Sequence, residues 1–175
     1  KGGDAIAQKG EAFVLDMKVT NIGKGTSKLP KVAVTDRSEG RIYLKKGRYF
    51  PKVLAPGSSA YAHMTYDVAA VDKPINVELS VYDRTFRTNV SRKITLPSGK
   101  GFKASETKSL PVKLLMNSKI WGSAMGKGHL IGSGSGPFTA TSVFNGLCRI
   151  TLENQITGFA KCEKLKHPIK NAKRS

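Results

Sequence analysis

Apolar and polar residues alternate over much of this chain, and no long stretch carries the three-to-four-residue spacing of an amphipathic helix. Ala12–Thr20 reads AFVLDMKVT, which puts Phe13, Leu15, Met17 and Val19 on one face of a strand. The same pattern recurs in Lys31–Thr35, Ile42–Leu44, Ser59–Val68, Asn76–Tyr82 and Val90–Leu96. Between these runs, Asn21-Ile-Gly-Lys-Gly25 and Leu54-Ala-Pro-Gly57 have the composition of turns, with Asn and Gly suited to positive φ. Six or seven short strands in roughly ninety residues predict a two-sheet β-sandwich, immunoglobulin-like in arrangement, over residues 1–97.

Pro97–Ser109 (PSGKGFKASETKS) contains one large apolar residue among Gly, Ser and Lys, so residues 98–109 are expected to form a linker. Beyond it, Val112–Met116, His129–Ile131, Phe138–Phe144, Leu147–Leu152 and Ile156–Lys161 read as five short strands. They predict a small SH3-like β-barrel over residues 110–166. Asn145-Gly146 is a strong hairpin-turn signal, while Lys119–Ser123 and Gly132–Pro137 read as loops. Residues 167–175 are expected to be a frayed basic tail. The expected class is all-β, with no apolar run long enough for a membrane span.

Charge changes the picture most. Thirty Lys and Arg stand against twelve Asp and Glu, a formal net charge of +18. Residues 1–97 hold 17 basic and 9 acidic residues, and the remainder 13 and 3. Such an excess either attracts an anionic partner (nucleic acid, anionic lipid or cell-wall polymer) or is simply a solvated basic surface. The hydrophobic content of 39% is that of a folded chain. The chain begins at Lys1 without an apolar leader, and is expected to be a mature or excised piece of a larger protein.

Cys148 and Cys162 bracket a hairpin whose turn is expected around Glu153-Asn154-Gln155. A loop centred on Gln155 sets Cys148 opposite Cys162, with Cys148 on the face of Ile150 and Leu152. The pair is either a cross-strand disulfide, which implies an oxidising compartment, or two buried thiols. No zinc pattern accompanies it.

No catalytic constellation emerges. His63 alternates with its neighbours on a strand, and His129 and His167 have no acidic or thiol neighbours for a triad or a metal site. The glycine-rich segment 132–137 lacks the Gly-x-x-x-x-Gly-Lys-Ser/Thr pattern and the following helix of a phosphate loop. No cofactor is implied. Trp121 sits between Ile120 and Gly122, and together with Phe138, Phe144 and Asn145 it forms the candidate ligand-binding set, since aromatic side chains line grooves for sugars and peptides. In the second part Lys outnumbers Arg by 11 to 2, which ranks nucleic acid behind the other anionic partners.

Val112-Lys-Leu-Leu-Met-Asn117, Gly126, Gly128, Thr139-Ala-Thr141, Asn145-Gly-Leu-Cys-Arg-Ile150, Thr157-Gly-Phe-Ala160 and Leu165 together resemble a bacterial SH3 domain. Phe13-Val-Leu-Asp-Met-Lys-Val-Thr-Asn-Ile-Gly23 and Leu54-Ala-Pro-Gly57 resemble the immunoglobulin-like modules of bacterial envelope proteins. In this order the two resemble the C-terminal, non-catalytic region of bacterial carboxyl-terminal-processing serine peptidases. No Gly-Ser-x-x-Ser nucleophile segment with its helix and catalytic Lys is present. The resemblance implies an extracytoplasmic location, in the periplasm or at the cell surface. It also implies an accessory role that positions a parent protein on anionic cell-wall polymer or peptide, with the parent's peptidase core as a further partner. The competing expectations are a purely structural or oligomerising module without a ligand and, third, a basic nucleic-acid-binding β protein.

Overall fold

Every described strand pairs antiparallel with its neighbours, and no α-helix occurs among the residues that the computed structural model describes: 3–115, 117–127, 130–134, 137–152 and 155–166. The chain divides into two compact units, Ala7–Ser98 and a second built from Lys1–Ile6 together with Gly99–Ser175.

The first unit is a sandwich of two sheets. Its strands are β1 (Ala12–Thr20), β2 (Pro30–Asp36), β3 (Ile42–Lys46), β4 (Arg48–Tyr49), β5 (Ser59–Val68), β6 (Ile75–Asp83) and β7 (Thr88–Leu96). One sheet has the order β1-β5-β3 and the other β4-β2-β6-β7. The alternation read in the sequence decides which residues face inward. Ala62, Met64 and Tyr66 from β5 are fully buried against Val32 of β2 and Ile75 and Val77 of β6. Phe13 lies directly opposite Tyr66, the rings stacked with centroids 5.3 Å apart. Asn21, expected to turn the chain through its own backbone, does so through its side chain. Its amide donates to the carbonyls of Gly25 and Leu54, each at 2.9 Å, and its Oδ1 accepts from Gly23 N–H at 3.0 Å. The Asn21 carbonyl also accepts the Gly57 N–H at 2.8 Å, so one residue joins both turn motifs.

The second unit is one bent antiparallel sheet. Its strands are β8 (Glu106–Leu114), β9 (Ser118–Trp121), β10 (Leu130–Gly134), β11 (Pro137–Phe144), β12 (Leu147–Thr151), β13 (Thr157–Lys161) and β14 (Leu165–Lys166), in the order β10-β9-β13-β12-β11-β8-β14. Edge strands β10 and β14 do not pair with each other, so the sheet curls without closing into a barrel. A bulge in β11 between Ala140 and Ser142 shifts its register with both neighbours. Such a bulge bends a strand and lets the sheet curl over its core. That core is built from Val112, Leu114, Ile120, Ala140, Val143, Ile150, Ala160 and Leu165. A smaller cluster gathers Ala124, Phe144, Leu147 and Phe159, with Ala5, Phe102 and Trp121 packed against it.

The boundaries differ from those expected. Residues 4–6 belong to the second unit. The buried Asp4 carboxylate accepts the backbone N–H of Ile6 at 3.1 Å and of Phe102 at 2.7 Å, while its carbonyl accepts from Ala124 at 2.8 Å. The sandwich is therefore inserted in the chain of the second unit. The expected linker 98–109 is not free chain: Phe102 is held by Asp4, Ser105 N–H donates to the Val143 carbonyl, and β8 starts at Glu106. Its polar composition misled because the strand is short of apolar side chains at its start. Gly132-Ser133-Gly134 is strand rather than loop, and Trp121 ends β9 instead of lying in a loop. Met116, Gly128, His129, the Ser135-Gly136 part of the expected loop, Glu153-Asn154 and residues 167–175 lie outside the described residues.

Candidate binding surfaces

Of the four residues expected to form a ligand groove, Trp121 and Phe144 share one small apolar cluster, while Phe138 packs against another and Asn145 is exposed. Phe144 is 1% exposed and meets Phe159 edge-on, with centroids 6.1 Å apart. Trp121 is half-buried against the same small cluster and lies opposite both Phe159 and Leu130 in the sheet. The Lys119 ammonium sits 5.9 Å from the centroid of the Trp121 ring, a cation–π distance. Phe138 packs against the other, larger cluster. Asn145 is exposed at the tip of the β11–β12 hairpin, where it and Gly146 both have positive φ, 47° and 79°, as a two-residue hairpin turn demands. The aromatic side chains went inward because Phe102 and Ala5, from parts of the chain read as linker and sandwich, supply the apolar neighbours that pack against them.

Cys148 and Cys162 form a disulfide with Cα atoms 5.1 Å apart. They are not direct strand partners: Cys148 pairs with Ala160. Leu152 N–H donates to the Ile156 carbonyl, so the hairpin turns one residue earlier than a centre at Gln155. That moves each partner by two positions and preserves which face each side chain takes. Cys148 therefore still joins Ile150 and Ala160 in the core, and Cys162 reaches it from the 3₁₀ turn Cys162–Lys164.

His63 lies opposite Asp16 on the outer face of the β1–β5 pair, with Nδ1 2.5 Å from Oδ1 and the imidazole half in water. Among the described residues no three His, Cys, Asp or Glu side chains group as a metal site. Arg41 raises no such prospect either. It forks onto Asp72 at 3.1 and 3.3 Å and bonds the Ser38 carbonyl at 2.6 Å, and this pairing holds the Asp72 carboxyl below its ordinary range. Among the described residues no helix is long and apolar enough to cross a membrane.

Two surface features remain. The first is charge: among the described residues no Lys or Arg is buried. The second is an open side of the sandwich that sequence reasoning missed. A cleft of about 400 Å³ lies between the end of β1 and the start of β7, lined by Val19, Ile22, Val81, Phe86 and Val90. Ile22 is 94%, Val90 70% and Phe86 50% exposed. The Phe86 ring lies so close over Gly25 that an added Cβ there would come within 2.6 Å of it, which explains the glycine. The inner face of β7 reads Leu96, Ile94, Arg92, Val90, and burial falls steadily along it from 4% at Leu96. A basic residue on the core-facing register of VSRKITL was the available signal that this end of the strand is not covered.

Compared with known proteins, the sequence matches no family model and no curated protein.

Proposed function

We propose that this chain is a non-catalytic accessory module of an exported bacterial envelope protein, the C-terminal part of a carboxyl-terminal-processing serine peptidase, and that it holds its parent against anionic cell-wall polymer. The carrying observation is the placement of charge. Among the residues whose burial is described no Lys or Arg is buried, so the basic side chains there, part of the +18 net charge, lie at the surface over apolar cores. A field of that sign and size attracts a polyanion from any direction, through many weak contacts. The prevalence of Lys in residues 98–175 suits such contacts, since an ammonium on a flexible stem meets irregularly spaced anions as a point charge. The Cys148–Cys162 disulfide supports an oxidising, extracytoplasmic compartment.

Because the aromatic set of the second unit is packed inward, attachment runs through charge rather than through a Trp121 groove. The test is co-sedimentation of the purified chain with insoluble peptidoglycan that carries its anionic polymers, at low salt and at about half-molar salt, where the Debye length shrinks to a few ångströms. The chain should pellet at low salt and stay in solution at high salt. Failure to pellet at low salt would overturn the proposal.

A further inference from the structure

In a two-sheet sandwich each sheet has two edges, and an edge strand offers a row of unpaired backbone N–H and C=O groups. Here β7 pairs with β6 on one side only. On its other side, among the described residues, the chain contributes one parallel bridge, Ala7 to Ser98, reinforced by the Ala7 N–H donating to the Pro97 carbonyl at 2.8 Å. Past that bridge, no described strand lies on that side of the nine residues of β7, and Thr88–Lys93 are all exposed. The same side of the sandwich is where the apolar cleft opens between Val19 of β1 and Val81 and Val90 of the β6–β7 pair. A free edge therefore runs beside a gap in the core, the arrangement expected where one strand of a sandwich is missing.

We propose that this edge is a strand-acceptor site for an extended acidic polypeptide segment of a partner protein. This goes beyond attachment by surface charge, because it requires backbone pairing and a shaped cleft. The incoming strand bonds the free groups of Thr88–Ile94. On one face its alternate side chains meet Val90 and then Arg92 of β7, with the cleft beneath Val90 and Phe86 taking an apolar side chain. Charge selects the occupant. From Arg84 to Leu96 the chain carries Arg84, Arg87, Arg92 and Lys93 and no acidic residue. A second copy of β7 would bring like charges together, a standard device against edge-to-edge self-association. An acidic strand meets the opposite sign. Arg92 has no ion-pair partner among the described residues, and so is available to it.

The test uses the full chain and a capped ten-residue peptide of alternating Val and Glu, with two comparison peptides: one with Lys for Glu, and one with every second amide N-methylated. Amide hydrogen exchange and a binding titration are read together. The Glu peptide at millimolar concentration is expected to protect the amides of residues 88–94, and the Lys and N-methylated peptides are not. Arg92→Glu should weaken the Glu peptide by about five- to tenfold, the scale of reversing one exposed ion pair. Val90→Ser should weaken it as well; its side chain is mostly in solvent, so the fold is unaffected. Three results would each overturn the proposal: no protection at 88–94, protection elsewhere, or equal binding of the N-methylated peptide, which would reduce the effect to charge alone.

Discussion

The Asp4 carboxylate accepts the backbone N–H of Phe102 at 2.7 Å across 98 residues of sequence, joining the two stretches of chain that build the second unit. The same carboxylate holds Ile6 N–H, and the residue is 2% exposed. Asp4→Ala leaves two backbone donors unpaired, that of Ile6 buried and that of Phe102 partly buried. The second unit should lose about 1–3 kcal/mol of stability. Urea unfolding followed by Trp121 fluorescence, the only tryptophan, reports on that unit. An unchanged midpoint would mean that the N-terminal segment does not belong to it.

Tyr66 carries a different kind of buried polar group. Its ring fills the centre of the sandwich, fully buried, and its hydroxyl has no hydrogen-bond partner among the described residues. Tyr66→Phe is expected to stabilise the sandwich by about 1 kcal/mol, since it removes an unsatisfied group and keeps the volume. Burial also pushes the Tyr66 phenol well above its ordinary value. The folded state thus resists ionisation while the unfolded chain ionises near pH 10. The stability is full below that pH and falls as the pH rises above it. Stability curves taken between pH 8 and pH 11, as rough limits around the phenol value, should show a steeper alkaline loss for the wild type than for Tyr66→Phe.

Reduction of the Cys148–Cys162 bond opens a hairpin spanning a sequence separation of 14. Chain-entropy scaling for a loop of that size gives a loss of about 3 kcal/mol. Cys148→Ala with Cys162→Ala should lower the stability of the second unit by that amount and leave the sandwich transition in place. Calorimetry resolves the two.

Gly158 sits in β13, where an added Cβ would lie 2.5 Å from Cγ2 of Ile120 and 3.1 Å from Cδ1 of Ile131. The first of these atoms is on a branched Cβ within the core and cannot swing away. Gly158→Ala should cost about 1–3 kcal/mol by overpacking. Pairing it with Ile120→Val, which leaves a Cγ2 in place, should not rescue it, whereas Ile120→Ala should recover part of the loss. Thermal unfolding of the three variants checks this.

Strand alternation was a reliable guide because it depends on one local rule, side chains taking opposite faces in turn. Ala12–Thr20 and Ser59–Val68 begin and end where the pattern placed them. The Asn145-Gly146 turn was equally local, since only a few residue types tolerate its two positive φ values. What failed was non-local. Nothing near Asp4 indicates that it meets residues 102 and 124. Phe144 looked available because its partners, Phe159 and Phe102, come from separate parts of the chain. The hairpin register slipped by two because its turn is centred one residue earlier, and the cysteine pair survived because a shift of two keeps the face. The open edge was only hinted at, by Arg92 on the core-facing register of VSRKITL, and it takes the sheet order to show that β6 is the one described strand beside β7.

Wall attachment by charge is the central claim, and it is tested most directly by comparing peptidoglycan that retains its anionic polymers with the same material chemically stripped of them. The two preparations are matched for mass and assayed for co-sedimentation at low salt. The chain should pellet with the intact wall and remain in solution with the stripped wall. Equal pelleting with both would contradict the claim and assign the attachment to the glycan or its peptides instead.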